Sequence, residues 1–245
     1  MADICIFKRI EKKCFLTEEK YEQLLTYLGD RVKMDKYGRH TICNIYLDTP
    51  DFLLIRNSID AKVYKEKLRL RSYGTPNSDS KVFLEIKKKY KGVVYKRRVV
   101  LSLSDAMEYI VTGKMPMQSQ IMDEIEYAMN FYGRPAPAVV LCYEREAFKV
   151  NDYPQVRLTF DRNVRYRTDN LLLEHGHSGK CIIPKNAVLL EIKTDEAMPL
   201  FLSDALSSLE IYPTSFSKYA TVYRDMCALK QIETAYIRDY LSVVG

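Results

Sequence analysis

Read with a period of two, the segment KEKLRLRSY sets Lys65, Lys67, Arg69, Arg71 and Tyr73 on one face of a strand and Leu68 and Leu70 on the other. Taken alone, such a strand is an ordinary antiparallel one, wet on one side and packed on the other. The pattern recurs, however: Glu11 and Lys13 in RIEKKCF, Glu85, Lys87 and Lys89 in FLEIKKK, Arg97 or Arg98 in YKRRVV, Tyr143 and Arg145 in YEREAF, Arg157, Thr159 and Asp161 in VRLTFD, and Glu191 and Lys193 in LLEIKT. A merely solvated face would be rich in Ser and Thr, whereas these faces are mostly Arg, Lys and Glu. Turned inward together, they would line a channel with cations that repel one another and pay for desolvation, so a polyanion is the natural occupant. The scattered glutamates suit a hard divalent cation, which bridges carboxylate and phosphate oxygens. Cations for phosphates and isolated carboxylates for a metal together make phosphoryl-transfer chemistry.

Other constellations are weaker. His175 and His177, with Cys181 four residues on, lie in the Gly-containing stretch HGHSGKC and lack a fourth zinc ligand nearby. Neither GxxxxGK[ST] nor GxGxxG occurs, so a P-loop or dinucleotide fold is not supported. With 3 histidines in the chain, a Ser-His-Asp or Cys-His assembly has few candidates for its base. The 19 tyrosines spread over helices and both strand faces, which suits packing better than a stacking platform, and no nucleic-acid partner is expected.

The elements that must position these residues are short and interleaved. A chain of 245 residues, 47% hydrophobic and 29% charged, can bury a sizeable core. With no linker or internal repeat, it reads as one domain over residues 1–245. The net charge of +6 permits an anionic partner without requiring one. Six cysteines without CxxC pairs suggest reduced thiols in a cytosol. The N-terminal MADICIFKRIEKKCF, charged within each apolar run, reads as neither signal peptide nor anchor, and no run approaches the ~20 apolar residues of a membrane span. A soluble, cytoplasmic protein is therefore expected.

Helical spacing predicts helices near 17–28 with Thr17 as N-cap, 104–111, 118–132 and 200–209, and a last one from about Ser217 towards Tyr240. About eight strands are expected, near 5–15, 40–48, 63–73, 82–89, 93–101, 138–149, 155–163 and 187–194. Asn77-Ser78-Asp79-Ser80 and Tyr90-Lys91-Gly92 read as hairpin turns, so the sheet should be largely antiparallel. The fold class expected is α+β, with an antiparallel sheet closed into a barrel-like tunnel, flanking helices and a C-terminal helix at its mouth.

The pieces RIEKKCFL at 9–16, KLRLR at 67–71, FLEIKKK at 83–89, YEREAF at 143–148, VRLTFD at 156–161, LLEIKT at 189–194 and FSKYATVYR at 216–224 occur in an order that resembles the triphosphate tunnel metalloenzymes, and among them the VTC-type polyphosphate polymerase domain. The first piece is similar to the ExExK stripe of that superfamily with Arg9 at the first acid, a departure that marks the polymerase branch. The resemblance implies a tunnel where ATP and a growing polyphosphate chain meet and the chain's terminal phosphate attacks the γ-phosphate. It implies Lys13, Arg69, Arg71, Lys87, Arg98, Arg145, Arg157 and Lys193 as phosphate ligands, with Tyr143 supporting them. Glu191 would hold Mn²⁺ or Mg²⁺, and Lys218, with Ser217 beside it, would meet the transferred phosphate at the start of the last helix, where an anion is favoured anyway. Two residues keep a second reading: Ser217 as an ordinary N-cap and Glu191 as a salt bridge to a wall arginine. Asp161 suits either role. The sensing domain and membrane helices of eukaryotic members are not matched, so the expectation is a stand-alone bacterial-type catalytic domain, with a membrane partner for the product left open. Hydrolysis of tripolyphosphate or a nucleoside triphosphate, and polyphosphate binding without turnover, are the alternatives.

Overall fold

The computed structural model describes residues 6–7, 10–91, 93–195 and 197–230. In chain order the strands are β1 (Ile6–Phe7), β2 (Ile10–Thr17), β3 (Val32–Met34), β4 (His40–Asp48), β5 (Tyr64–Tyr73), β6 (Lys81–Tyr90), β7 (Val93–Ser102), β8 (Ala136–Val150), β9 (Tyr153–Arg167), β10 (Lys180–Cys181) and β11 (Ala187–Thr194). The helices are α1 (Glu18–Leu28), α2 (Leu53–Asp60), α3 (Leu103–Thr112), α4 (Gln120–Phe131), α5 (Leu200–Ser208) and α6 (residues 218–230). The expected end of the last helix, beyond 230, lies outside the described residues, as do Arg9 and Gly92.

The predicted Thr17 cap forms. Thr17 Oγ1 accepts from the Lys20 amide at 3.2 Å, and Ser102 and Ser119 do the same for α3 and α4. Helix α2 carries no such local signal. It starts after Phe52, which sits at φ 60°; its first amide, Leu53, donates to Thr49 Oγ1 at 2.8 Å, and the next two to the Asp48 carboxylate, Leu54 at 2.8 Å and Ile55 at 3.1 Å. Both caps reach in across Pro50 to Phe52, from Asp48 and Thr49, so neither stands next to the helix.

All strand pairs are antiparallel, in the order β1-β7-β6-β5-β4-β8-β9-β11-β2, with β3 on β8 and β10 on β9. The expected ladder closure is not made among the described residues: the hydrogen-bonded path has two ends. Its end strands are successive pieces of chain, separated by residues 8–9, so β1 on β7 and β2 on β11 tether the two edges to each other. Within the strand expected over 5–15, Ile6–Phe7 and Ile10–Thr17 are both strand and differ in their ladder partner. The curl of the sheet is confirmed by Lys87 on β6 reaching Glu11 on β2, at 3.4 Å.

The apolar faces point outward into the helices. Leu68, Leu70, Leu84 and Ile86 pack under α3 and α4, with Ile110, Met122, Ile125 and Met129. Cys14, Leu158, Phe160 and Leu190 pack under α1 and α5, with Leu24, Leu28 and Leu202. A third cluster lies on the inward face instead: Ile42, Tyr46, Leu141 and Tyr143 share the side of Arg69 and Arg71 and are closed by Ile55 of α2 and by Tyr219 and Val222 of α6. Between these layers, the inward faces carry the charged stripes. No helix among the described residues is long and apolar enough to cross a membrane.

Candidate functional site

Ladder registry sets neighbouring stripes against one another. Arg69 stands opposite Glu85, Glu85 opposite Arg98, Arg145 opposite Asp161, and Glu191 opposite both Thr159 and Lys13. This resolves the choice in YKRRVV: Arg98 shares the inward face, while Arg97 turns outward to Glu124 of α4 at 3.3 Å.

The middle of the interior is two carboxylate-centred nests. In the first, Glu85 meets Arg69 Nε at 2.6 Å, Lys96 Nζ at 2.6 Å and Arg71 Nε at 3.9 Å. Burial pushes its carboxyl up, but these three cations outweigh burial and hold it well below the usual carboxylate range. In the second, Asp161 accepts Arg145 through two bonds of 2.6 and 2.7 Å and lies 2.6 Å from Lys218 Nζ. Glu191 lies 3.0 Å from Lys218, 3.1 Å from Lys193, 3.2 Å from Arg145 and 3.9 Å from Lys13. Although burial alone would lower the Lys218 ammonium, the two carboxylates raise it above its ordinary value, and Glu191 is held well below its own. The nests are joined by Arg71, which donates to Asn44 Oδ1 at 2.9 Å and to the Tyr143 hydroxyl at 3.2 Å. Tyr143 in turn lies under Arg145 and Lys218, at 5.1 and 4.7 Å from its ring centre.

The sequence pictured unpaired cations; the structure pairs most of them in this middle region, because a buried carboxylate between ammonium and guanidinium groups lowers the cost of removing all of them from water. The exception is one end. Lys65 stands opposite Lys89 and Lys67 opposite Lys87 across β5 and β6, a like-charge arrangement that destabilises a sheet unless an anion lies over it. These four, with Lys13, Ser217, Phe216 and Arg224, line a cleft of about 320 Å³. Burial, helped by Lys87, Lys13 and Arg69, draws the Lys67 ammonium down to about 8, and burial with Arg145 nearby draws Lys193 to about 8. Lys96 falls to about 7 through burial and the charges of Arg69 and Arg71.

Of the expected site residues, Arg69, Arg71, Arg145, Tyr143, Lys193, Glu191 and Lys218 meet in the joined nests, and Lys13, Lys87 and Ser217 border the lysine cleft. Ser217 fills the cap reading, its hydroxyl accepting from the Ala220 amide at 3.4 Å, and it also accepts from Lys67 at 3.2 Å on the wall of the lysine cleft. Glu191 is ion-paired as its second reading anticipated. Arg98, opposite Glu85 in the ladder, lies over the Phe83 ring at 4.7 Å, and Arg157 is half-exposed beside Asp35 at 3.0 Å. Two members escaped the sequence reading. Lys96 shares the inward parity of YKRRVV and was legible by alternation; Asn44, in an apolar strand, carried no signal.

The described residues contain no cluster of three or more His, Cys, Asp and Glu side chains arranged for a metal. The donors that suit a hard divalent cation are a pair, Glu191 and Glu11, which are diagonal neighbours on the inward face of β11 and β2. A pair of carboxylates fits a magnesium-like ion that takes its other ligands from phosphate and water.

Curled strands with inward cations are the architecture of the triphosphate tunnel metalloenzymes. Two solved structures share it: a candidate adenylate cyclase from Bacillus halodurans (TM-score 0.54, 15% identity, 86% of this chain and 95% of that one) and a candidate adenylyl cyclase from Hippeastrum, described as having a dominant triphosphatase activity (TM-score 0.52, 17% identity, 89% and 95%). A search of curated proteins gives no match. Within this class, the chain belongs to the VTC domain family, which it matches over residues 8–227.

Proposed function

We propose that this protein is a polyphosphate polymerase, a single catalytic domain in which the curled sheet acts as a tunnel. A terminal oxygen of a polyphosphate chain attacks the γ-phosphorus of ATP, the bond from γ-phosphorus to the β,γ-bridging oxygen breaks, and ADP leaves. Arg69, Arg71, Arg145 and Lys193 hold the triphosphate, and Lys218 contacts the transferring group as its charge redistributes. Tyr143 and Asn44 fix the guanidinium of Arg71. Arg98 and Arg157 meet phosphates or their counterpart sugar nearer the rim. Glu191 and Glu11 would hold Mn²⁺ or Mg²⁺, which when bound neutralises phosphate charge. The observation that carries polymerisation over hydrolysis is the lysine cleft, with Lys65, Lys67, Lys87 and Lys89 placed beyond the nests. Among the described residues Lys87 has Glu11 at 3.4 Å, but a triphosphate seated at the nests leaves Lys65, Lys67 and Lys89 without a carboxylate partner, and a longer chain covers them.

The second reading, hydrolysis of tripolyphosphate or a nucleoside triphosphate, has support in the triphosphatase description of the Hippeastrum protein. One assay separates the two: incubation with ATP and Mn²⁺ should give ADP together with long acid-labile phosphate chains. ADP with free orthophosphate alone would establish the hydrolase, and no ADP at all would leave a binding module. For the metal, Glu191→Gln should abolish metal-dependent turnover while tripolyphosphate still binds in calorimetry; an active variant with an unchanged metal requirement would make the carboxylate purely structural.

A further inference from the structure

The two ends of the interior differ in chemistry. Opposite the lysine end, the same inward faces carry rings. Tyr73 follows Arg71 by two residues on β5, and Phe83, the ladder partner of Arg71, precedes Glu85 by two on β6. Tyr73 and Phe83 meet edge-on at 5.4 Å, His40 lies 5.9 Å from Tyr73, and Tyr37 lies 6.1 Å from His40. The guanidinium of Arg98 covers Phe83 at 4.7 Å. This is no core cluster, since Tyr73 is 49% and Tyr37 67% exposed.

Flat, half-exposed rings with a guanidinium among them recognise a planar heteroaromatic group by stacking and cation–π contact. An inorganic phosphate chain has no such group. Two residues of strand advance about 7 Å, so phosphates on Arg69 and Arg71 bring the nucleoside of the same molecule to the level of Tyr73 and Phe83. We propose that this ring-lined end is the nucleobase site of the phosphate donor, with Tyr73 as its principal stacking surface. ATP is then oriented, its base at the rings and its γ-phosphate towards Lys218, while the acceptor chain occupies the lysine end. This assignment rests on the reading of the site as an ATP-dependent one.

The test compares ATP with inorganic tripolyphosphate by calorimetry in wild type, Tyr73→Ala and Tyr73→Phe. Removal of a stacking ring should weaken ATP about five- to a hundredfold. Tripolyphosphate affinity should stay level, and Tyr73→Phe should retain the ATP affinity of wild type. Equal losses for both ligands, or an unchanged ATP affinity in Tyr73→Ala, would overturn the base site while leaving the triphosphate reading intact. Wild-type protein that binds neither ligand would overturn both. An independent measurement needs no variant: in saturation-transfer NMR on wild type, the adenine H8 and H2 protons should receive the strongest transfer from the protein, and stronger transfer to the ribose protons would contradict stacking.

Discussion

Lys218 is the residue on which binding and catalysis separate most clearly. Its ammonium lies between Asp161 and Glu191, next to the amide end of α6, so it belongs to the protein's own ion pairs until a phosphate competes for it. Lys218→Ala should depress turnover far more than ATP affinity, because charge redistribution on the transferring group is what it answers to. Coupled ADP release and calorimetry check this; equal losses would remove Lys218 from catalysis. The lowered lysines predict a pH effect. Lys67 and Lys193 lose protons near pH 8 and Lys96 near 7 in the ligand-free protein, and an arriving polyanion restores them. Tripolyphosphate binding should therefore take up protons between pH 7 and 9 and weaken as pH rises past 8, measurable by calorimetry in buffers of different ionisation enthalpy. For folding the sign is opposite. These lysines titrate near 10.5 when unfolded, so below their folded values both states are charged and the full burial penalty applies, and the penalty is relieved as pH rises from about 8 towards 10. The charged stripes were legible because alternation alone assigns them a face. Their pairing was not: Asp161, Glu191 and Lys218 are brought together by β9, β11 and α6, and nothing local in any one segment reports the other two.

Helix α6 depends on contacts at three levels. Ser217 caps it, the Tyr219 hydroxyl donates to Asp48 at 2.8 Å while its ring stacks on Tyr46 at 4.4 Å, and Asp225 pairs with Lys180 at 2.8 Å and accepts from Tyr166. Asp48 is at once the cap of α2, so one buried carboxylate couples both helices to the end of β4. Tyr219→Phe leaves that acceptor short of a donor and should cost about 1–3 kcal/mol in urea unfolding. With Lys218 the neighbouring residue, turnover should fall as well, and a Tyr219→Phe protein of unchanged stability and rate would show that the bond does not hold the helix in place. The contrast between α1 and α2 shows what sequence can report about elements. Thr17 announces α1 from the adjacent position, whereas Asp48 serves α2 from the far side of a turn containing Pro50 and a left-handed Phe52.

At the scale of the whole molecule, the interior cations Lys13, Lys67, Arg69, Arg71, Lys87, Lys96, Arg145, Lys193 and Lys218 outnumber the carboxylates Glu11, Glu85, Asp161 and Glu191. The folded state alone assembles this excess, so a polyanion should stabilise it by mass action, by about 2.7 kcal/mol at a hundredfold excess over Kd. Thermal unfolding with tripolyphosphate should show a rise in Tm that shrinks as ionic strength screens the rim charges. A Tm indifferent to tripolyphosphate would mean that the lining is compensated internally and holds no phosphate. An antiparallel α+β architecture was readable from turns and alternation. The arrangement of its edges was not, because Ile6–Phe7 pairs with β7 and Ile10–Thr17 with β11, and nothing in the segment itself names either partner.

The pairing of β2 with β11 has a consequence for synthesis on the ribosome. Lys13 pairs with Glu191, so β2 must wait while the whole intervening chain is synthesised before its partner strand exists, on the order of ten seconds or more at ordinary elongation rates. Until then β2 is a nascent strand with both edges open, a hazard for aggregation. Glu11, Lys12 and Lys13 within it act as gatekeepers during that wait, which ties the solubility of the newborn chain in part to Glu11 and Lys13, the two of them that later face the bore.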